Sequence, residues 1–126
     1  MIILDTSAWI EFFQGSEKGD LVKEYLVKED VYTCETSFAE IMNWCLKSNL
    51  SEKAEEYIEG IKKGSKIISL DEDIILLAGK LNFEMKKSVK NLGMMDSFIL
   101  AASLSYNLRI VTKDNHFKEL ENVVII

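Results

Sequence analysis

A chain of 126 residues, 48% hydrophobic and 29% charged, can bury a core as one domain and has an ordinary globular balance. Its formal net charge of −6, from 15 Lys+Arg against 21 Asp+Glu, argues against nonspecific attraction to nucleic acid. No apolar run approaches the ~20 residues needed to span a bilayer, and Met1 leads directly into a strand-like run without an export signal, so a cytoplasmic location is expected.

Residues 2–4 read as a first strand, closed by Asp5. Thr6 or Ser7 can cap a short helix over residues 8–14 that stops at Gly15. Leu21, Val22, Tyr25 and Leu26 mark one face of a second helix. Residues 31–33 are a second strand, followed by a helix over 37–47 with Phe38, Ile41, Met42 and Cys45 inward. Ser51 caps a further helix carrying Ala54, Tyr57, Ile58 and Ile61.

Residues 66–70 form a third strand, and Asp71 caps a helix with Ile74, Leu77, Ala78 and Leu81 on its face. The segment 88–93 must return the chain across the sheet; its six residues can stretch ~20 Å, which suffices. A helix over 94–106 is apolar nearly all round, so it should be buried, and Asn107 can end it in the left-handed conformation. Residues 109–113 and 123–126 are the fourth and fifth strands. Strands alternating with helices predict a single α/β domain over residues 1–126, with a parallel sheet covered on both faces.

Composition closes off several chemistries. Cys34 and Cys45 are too few and too far apart for a disulfide scaffold and read as small buried hydrophobes. His116 is the only histidine; it reads as a solvated loop residue, and one His without a Cys pair argues against zinc. The clusters Lys62, Lys63, Lys66 and Lys86, Lys87, Lys90 read as solvated helix ends favoured by the helix dipole. The chain has no proline, so its turns rely on Gly, Asn and Ser.

Four acids fall where this topology would bring them to one edge. Asp5 and Asp114 end the first and fourth strands, while Glu40 and Asp96 open helices. Helix starts and strand ends share the edge where open α/β sheets bind ligands. Four carboxylates there repel one another unless a cation lies between them, which points to a hard divalent metal and phosphate chemistry. Each acid also has an ordinary local reading. Asp5 can be an N-cap, and Ser37-Phe38-Ala39-Glu40 has the form of a capping box. Asp96 can complement a helix dipole, and Asp114 can start a turn. Asp71-Glu72-Asp73 is a competing acidic cluster, for which the cap and dipole reading is preferred.

The ordered set resembles the PIN-domain nucleases. The motifs that carry the likeness are Ile2-Ile3-Leu4-Asp5-Thr6-Ser7-Ala8, Ser37-Phe38-Ala39-Glu40-Ile41, Met95-Asp96-Ser97-Phe98-Ile99-Leu100-Ala101-Ala102-Ser103 and Ile110-Val111-Thr112-Lys113-Asp114-Asn115-His116-Phe117. Within that family the chain is most similar to VapC-type toxins of toxin–antitoxin pairs. The resemblance implies a three-layer PIN-like domain with a central parallel sheet in order 3-2-1-4-5, and Mg²⁺ or Mn²⁺ held by Asp5, Glu40, Asp96 and Asp114. It implies that Ser7 and Thr112 orient carboxylates. It further implies endoribonuclease activity on RNA, a homodimer, and a small antitoxin that blocks the site.

Other readings stay open on the sequence: a PIN-like nuclease of RNA processing, and an inactive PIN-like binding module. An Asp-x-Asp phosphatase fits the first strand, except that Ser7 stands where the second Asp is needed.

Overall fold

The two central strands decide the layering. In a computed structural model that describes residues 1–126, β1 (Ile2–Leu4) turns Ile2 and Leu4 to one face and Ile3 to the other. The neighbouring β4 (Arg109–Thr112) does the same with Val111 and Ile110. Each face therefore needs its own cover of helices.

On the Ile2–Leu4 face lie α1 (Thr6–Gln14), α2 (Glu17–Lys28), α3 (Thr36–Lys47) and α4 (Ala54–Gly64). They bury Trp9, Val22, Ile41, Cys45 and Ile61 against it. On the Ile3 face lie α5 (Glu72–Met85) and α6 (Met94–Tyr106), with Ile74, Ala78, Ile99 and Ala102 inward. Between the layers, β2 (Val31–Cys34), β3 (Lys66–Ile68) and β5 (Val123–Ile125) complete an all-parallel sheet in the order β3-β2-β1-β4-β5. The expected architecture and strand order are thus found. No helix is long and apolar enough to cross a membrane.

Several local expectations hold. Gly15 ends α1 at φ 67°, and Asn107 ends α6 at φ 54°; with Asn49 they are the residues at positive φ, the residue types that tolerate the left-handed conformation. Asp71 caps α5 through the Ile74 amide. Cys34 and Cys45 are free and buried. Lys62 and Lys87 form exposed pairs with Glu59 and Glu84.

Others are corrected. β3 stops at Ile68 and β4 at Thr112, each shorter than expected. The cap of α1 is Asp5, not Thr6 or Ser7, because the Asp5 carboxylate accepts the Ala8 amide at 3.0 Å. Ser51 opens a 3₁₀ turn (Ser51–Lys53) without side-chain capping. Met42 is exposed, because α3 turns Ile41 and Cys45 to the sheet instead. α6 is buried all round in its middle, from Ile99 to Ser103, as expected, but not at its ends, where Met94, Leu104 and Tyr106 are exposed.

The α1–α2 hairpin depends on a backbone contact that helix propensity would not suggest. Gly19 packs so close to α1 that a Cβ there would sit 2.2 Å from the Glu11 carbonyl oxygen and 3.0 Å from the Phe12 Cα. Alanine is favoured over glycine by about 1 kcal/mol inside an isolated helix. Here the clash is with backbone, which cannot swing aside, so overpacking wins. Gly19→Ala is expected to destabilise the protein by about 1–3 kcal/mol. A urea titration reads this directly; an increased midpoint would contradict it.

Candidate active site at the carboxyl edge of the sheet

Strand register builds the first part of the site. Leu4 pairs with Val111, so Asp5, just past the end of β1, lies beside Thr112, the last residue of β4. The Thr112 hydroxyl donates to Asp5 Oδ2. The Ser7 hydroxyl and Ala8 amide donate to Asp5 Oδ1 at 2.7 and 3.0 Å. Each hydroxyl has one proton, and both protons are committed to Asp5. The hydroxyl oxygens in turn accept the Lys113 and Asp114 amides, at 3.0 Å for Ser7 and 2.8 Å for Thr112. Asp5 is therefore clamped in place. It is also only 6% exposed, and burial pushes its carboxyl up to about 6 against the pull of these donors. The charge of Asp114 adds to the rise.

Glu40 enters from α3. The expected capping box with Ser37 is absent: α3 begins at Thr36, and its N-cap, Glu35, makes no side-chain capping bond. A residue 34 positions upstream, Thr6, takes over both side chains. Its Oγ1 lies 2.7 Å from Glu40 Oε1 and 2.9 Å from Ser37 Oγ. With one proton to give, Thr6 donates to the carboxylate, the stronger acceptor, and accepts from Ser37. Burial raises the Glu40 carboxyl, Thr6 opposes the rise, and the charge of Asp96 adds to it.

Asp96 sits in the first turn of α6, and its Oδ2 accepts the Gly93 amide at 3.1 Å. Burial raises this carboxyl too; the Gly93 amide opposes the rise and the charge of Asp114 adds to it. Asp114 follows β4 and accepts the His116 amide at 2.9 Å, opening a 3₁₀ turn (Asn115–Phe117) anchored by the fully buried Phe117.

The turn corrects the expectation for His116. Its ring is not a freely solvated loop group: Nδ1 lies 3.1 Å from Asp114 Oδ2 and 3.5 Å from Asp96 Oδ2. The available signal was the spacing Asp114-x-His116. For Thr6 the sequence suggests only a helix cap. Its role depends on α1 and α3 meeting, which no local pattern displays.

The structure brings Asp96, Asp114 and His116 together, with one ligand atom from each lying within 4.8 Å of the others. Asp5 is linked to Asp114, and Glu40 to Asp96, by mutual charge. None of the four acids is paired with a lysine or arginine; Lys113, next in sequence to Asp114, pairs with Glu11. Repelling, partly buried carboxylates without a lysine or arginine partner, whose basic neighbour is the His116 ring beside Asp96 and Asp114, suit a divalent cation. Beside Glu40, a groove of about 310 Å³ is lined by Thr6, Ser7, Asn43, Trp44 and Lys47.

Residues 2–123 match the family model of the PIN domain. Ribonuclease VapC11 of Mycobacterium tuberculosis is 26% identical over 129 aligned residues, covering 98% of this chain and 93% of the relative. Among solved structures, VapBC2 from Rickettsia felis bound to a promoter DNA fragment superposes with a TM-score of 0.77 at 18% identity, covering 100% of this chain and 98% of that one. VapC20 of Mycobacterium tuberculosis, described as a sarcin–ricin loop cleaving toxin, gives 0.77 at 13% identity, covering 98% and 97%. The two superpositions speak for the fold.

Proposed function

The chain belongs to the PIN-domain family, and from that premise we propose that it is a metal-dependent endoribonuclease, the toxin of a toxin–antitoxin pair. The observation that carries the reading is a set of raised carboxylates, Asp5, Glu40 and Asp96, that no lysine or arginine neutralises. Asp5, Glu40, Asp96 and Asp114 hold Mg²⁺ or Mn²⁺. When bound, that ion supplies Lewis acidity towards water and phosphate.

The chain's own groups do the rest. Ser7 and Thr112 fix the Asp5 carboxylate, and Thr6 fixes Glu40, so the anionic cage needs little reorganisation on loading. The reaction is hydrolysis of an RNA phosphodiester: water adds to phosphorus and a ribose oxygen leaves. The groove beside Glu40 suits a single strand, with Lys47 for phosphate, Asn43 for a base edge and Trp44 for stacking. Such local contacts offset a net charge of −6.

Residues 1–126 act as one PIN-like domain, in the cytoplasm, as a homodimer. A small antitoxin covers the site. The VapC and VapBC names of the relatives support the toxin role over one in RNA processing.

The test is RNA cleavage by highly purified protein. Cleavage is expected with Mg²⁺ or Mn²⁺ and should vanish in EDTA. Activity that persists unchanged in the chelator would sink the metal mechanism, and absence of cleavage with every divalent ion would favour an inactive binding module.

A further inference from the structure

The site contains a nitrogen that the four-carboxylate reading leaves without a purpose. His116 Nδ1 is buried and makes no hydrogen bond of acceptable geometry, although the side chain as a whole is 36% exposed. Two constraints hold the ring there. The His116 amide is tied to Asp114 Oδ1 at 2.9 Å, and the next side chain, Phe117, is locked in the core. The orphaned atom faces two carboxylate oxygens at 3.1 and 3.5 Å.

Those spacings fit a shared ion. Ligands about 2.0–2.2 Å from a six-coordinate cation lie about 3 Å from adjacent ligands and about 4–4.4 Å from opposite ones. The 3.1 Å separation from Asp114 matches an adjacent position, the 3.5 Å separation from Asp96 lies a few tenths of an ångström beyond one, and the 4.8 Å bound on all three ligand atoms accommodates either relation between Asp96 and Asp114. An imidazole suits first-row transition ions, whereas Mg²⁺ prefers oxygen and sheds water reluctantly.

Resting on the metal-dependent reading above, we propose that His116 Nδ1 is a direct metal ligand beside Asp96 and Asp114, and that it biases the site towards a first-row transition divalent ion over Mg²⁺. The rival role for the ring is electrostatic: a positively charged imidazolium that partners the acids and must be displaced by the incoming ion.

Mn²⁺ separates the two roles. Pulsed electron paramagnetic resonance of the Mn²⁺-loaded full chain should show coupling to a ¹⁴N nucleus, lost in His116→Gln. Calorimetry should find the Mn²⁺ Kd at least ~10-fold weaker in His116→Gln, the low end for loss of even an outer-sphere partner, with the Mg²⁺ Kd changed much less. Bound Mn²⁺ without nitrogen coupling in the unmodified protein would overturn the ligand assignment while leaving the metal site standing. This measurement does not depend on the variant folding. Equal losses for both ions, or tighter Mn²⁺ binding by His116→Gln, would also overturn it. Failure of Mn²⁺ to bind the unmodified protein would overturn the assignment, and failure of Mn²⁺ and Mg²⁺ alike would overturn the reading on which it rests.

Discussion

Asp96→Asn is expected to lower RNA cleavage by at least ~100-fold, the low end of what charge stabilisation at a metal site contributes, while leaving the metal-free protein as stable as wild type or more stable. The carboxylate is raised by burial and by the charge of Asp114, so its ionised form is unfavourable in the folded state without a cation. Asparagine removes that charge but retains an oxygen for the Gly93 amide, so the first turn of α6 stays capped. Single-turnover cleavage and thermal melts with and without Mn²⁺ report the two effects. Added Mn²⁺ should raise the melting temperature of the variant less than that of wild type, because binding to the folded state stabilises it in proportion to affinity. A residue that served only to cap α6 would give another pattern: full activity and an unchanged metal response.

Asp5→Asn should stabilise the metal-free protein at pH 7.5 and flatten its stability between pH 4 and 7. Folding lifts the Asp5 carboxyl from its usual 3.8 to about 6. The folded state therefore holds this proton more tightly than the unfolded chain. Relative to that state, stability is greatest below the unfolded value and is lost as pH rises through about 6. The gap corresponds to about 3 kcal/mol at ~1.4 kcal/mol per pH unit. Glu40 and Asp96 are raised and act in the same direction.

Asparagine fits the Asp5 site. Its oxygen takes the Ser7 and Ala8 donors, its NH₂ donates to Thr112, and the Thr112 hydroxyl turns to Ser7 Oγ, 3.2 Å away. It is also as good an N-cap as aspartate. Urea titrations at several pH values in EDTA measure the effect; a variant less stable than wild type at pH 7.5 would show that the ionised carboxylate, held by its three donors, is a net stabiliser of the apo fold.

Glu40 shows how a local pattern can name the wrong hydrogen-bond partner for a side chain. Ser37 and Glu40 have the residue types and spacing of a capping box, and local pattern alone favours that pairing. The box fails because the Thr6 hydroxyl, 34 residues earlier, reaches Glu40 first. At Asp5 the two readings are compatible: its carboxylate caps α1 and also feels the charge of Asp114. At Asp71, where no distant partner intrudes, the cap reading stands.

Features that depend on neighbours along the chain follow from residue order alone. Alternation at Ile2, Ile3 and Leu4 set two buried faces, strand–helix alternation set a parallel sheet, and Gly15 and Asn107 set helix ends. The position of the acids in that order was enough to predict a shared edge. Only the tertiary structure decided how the site is wired. The Thr112 grip on Asp5 spans 107 residues, and the approach of His116 to Asp96 joins the start of α6 to the turn after β4. The backbone contact at Gly19 likewise exists only once α1 and α2 are packed. Local conformation follows from dihedral preference and capping within a few residues. Contacts of this kind depend on register and close packing between elements, which the order of residues does not display until the sheet has aligned them.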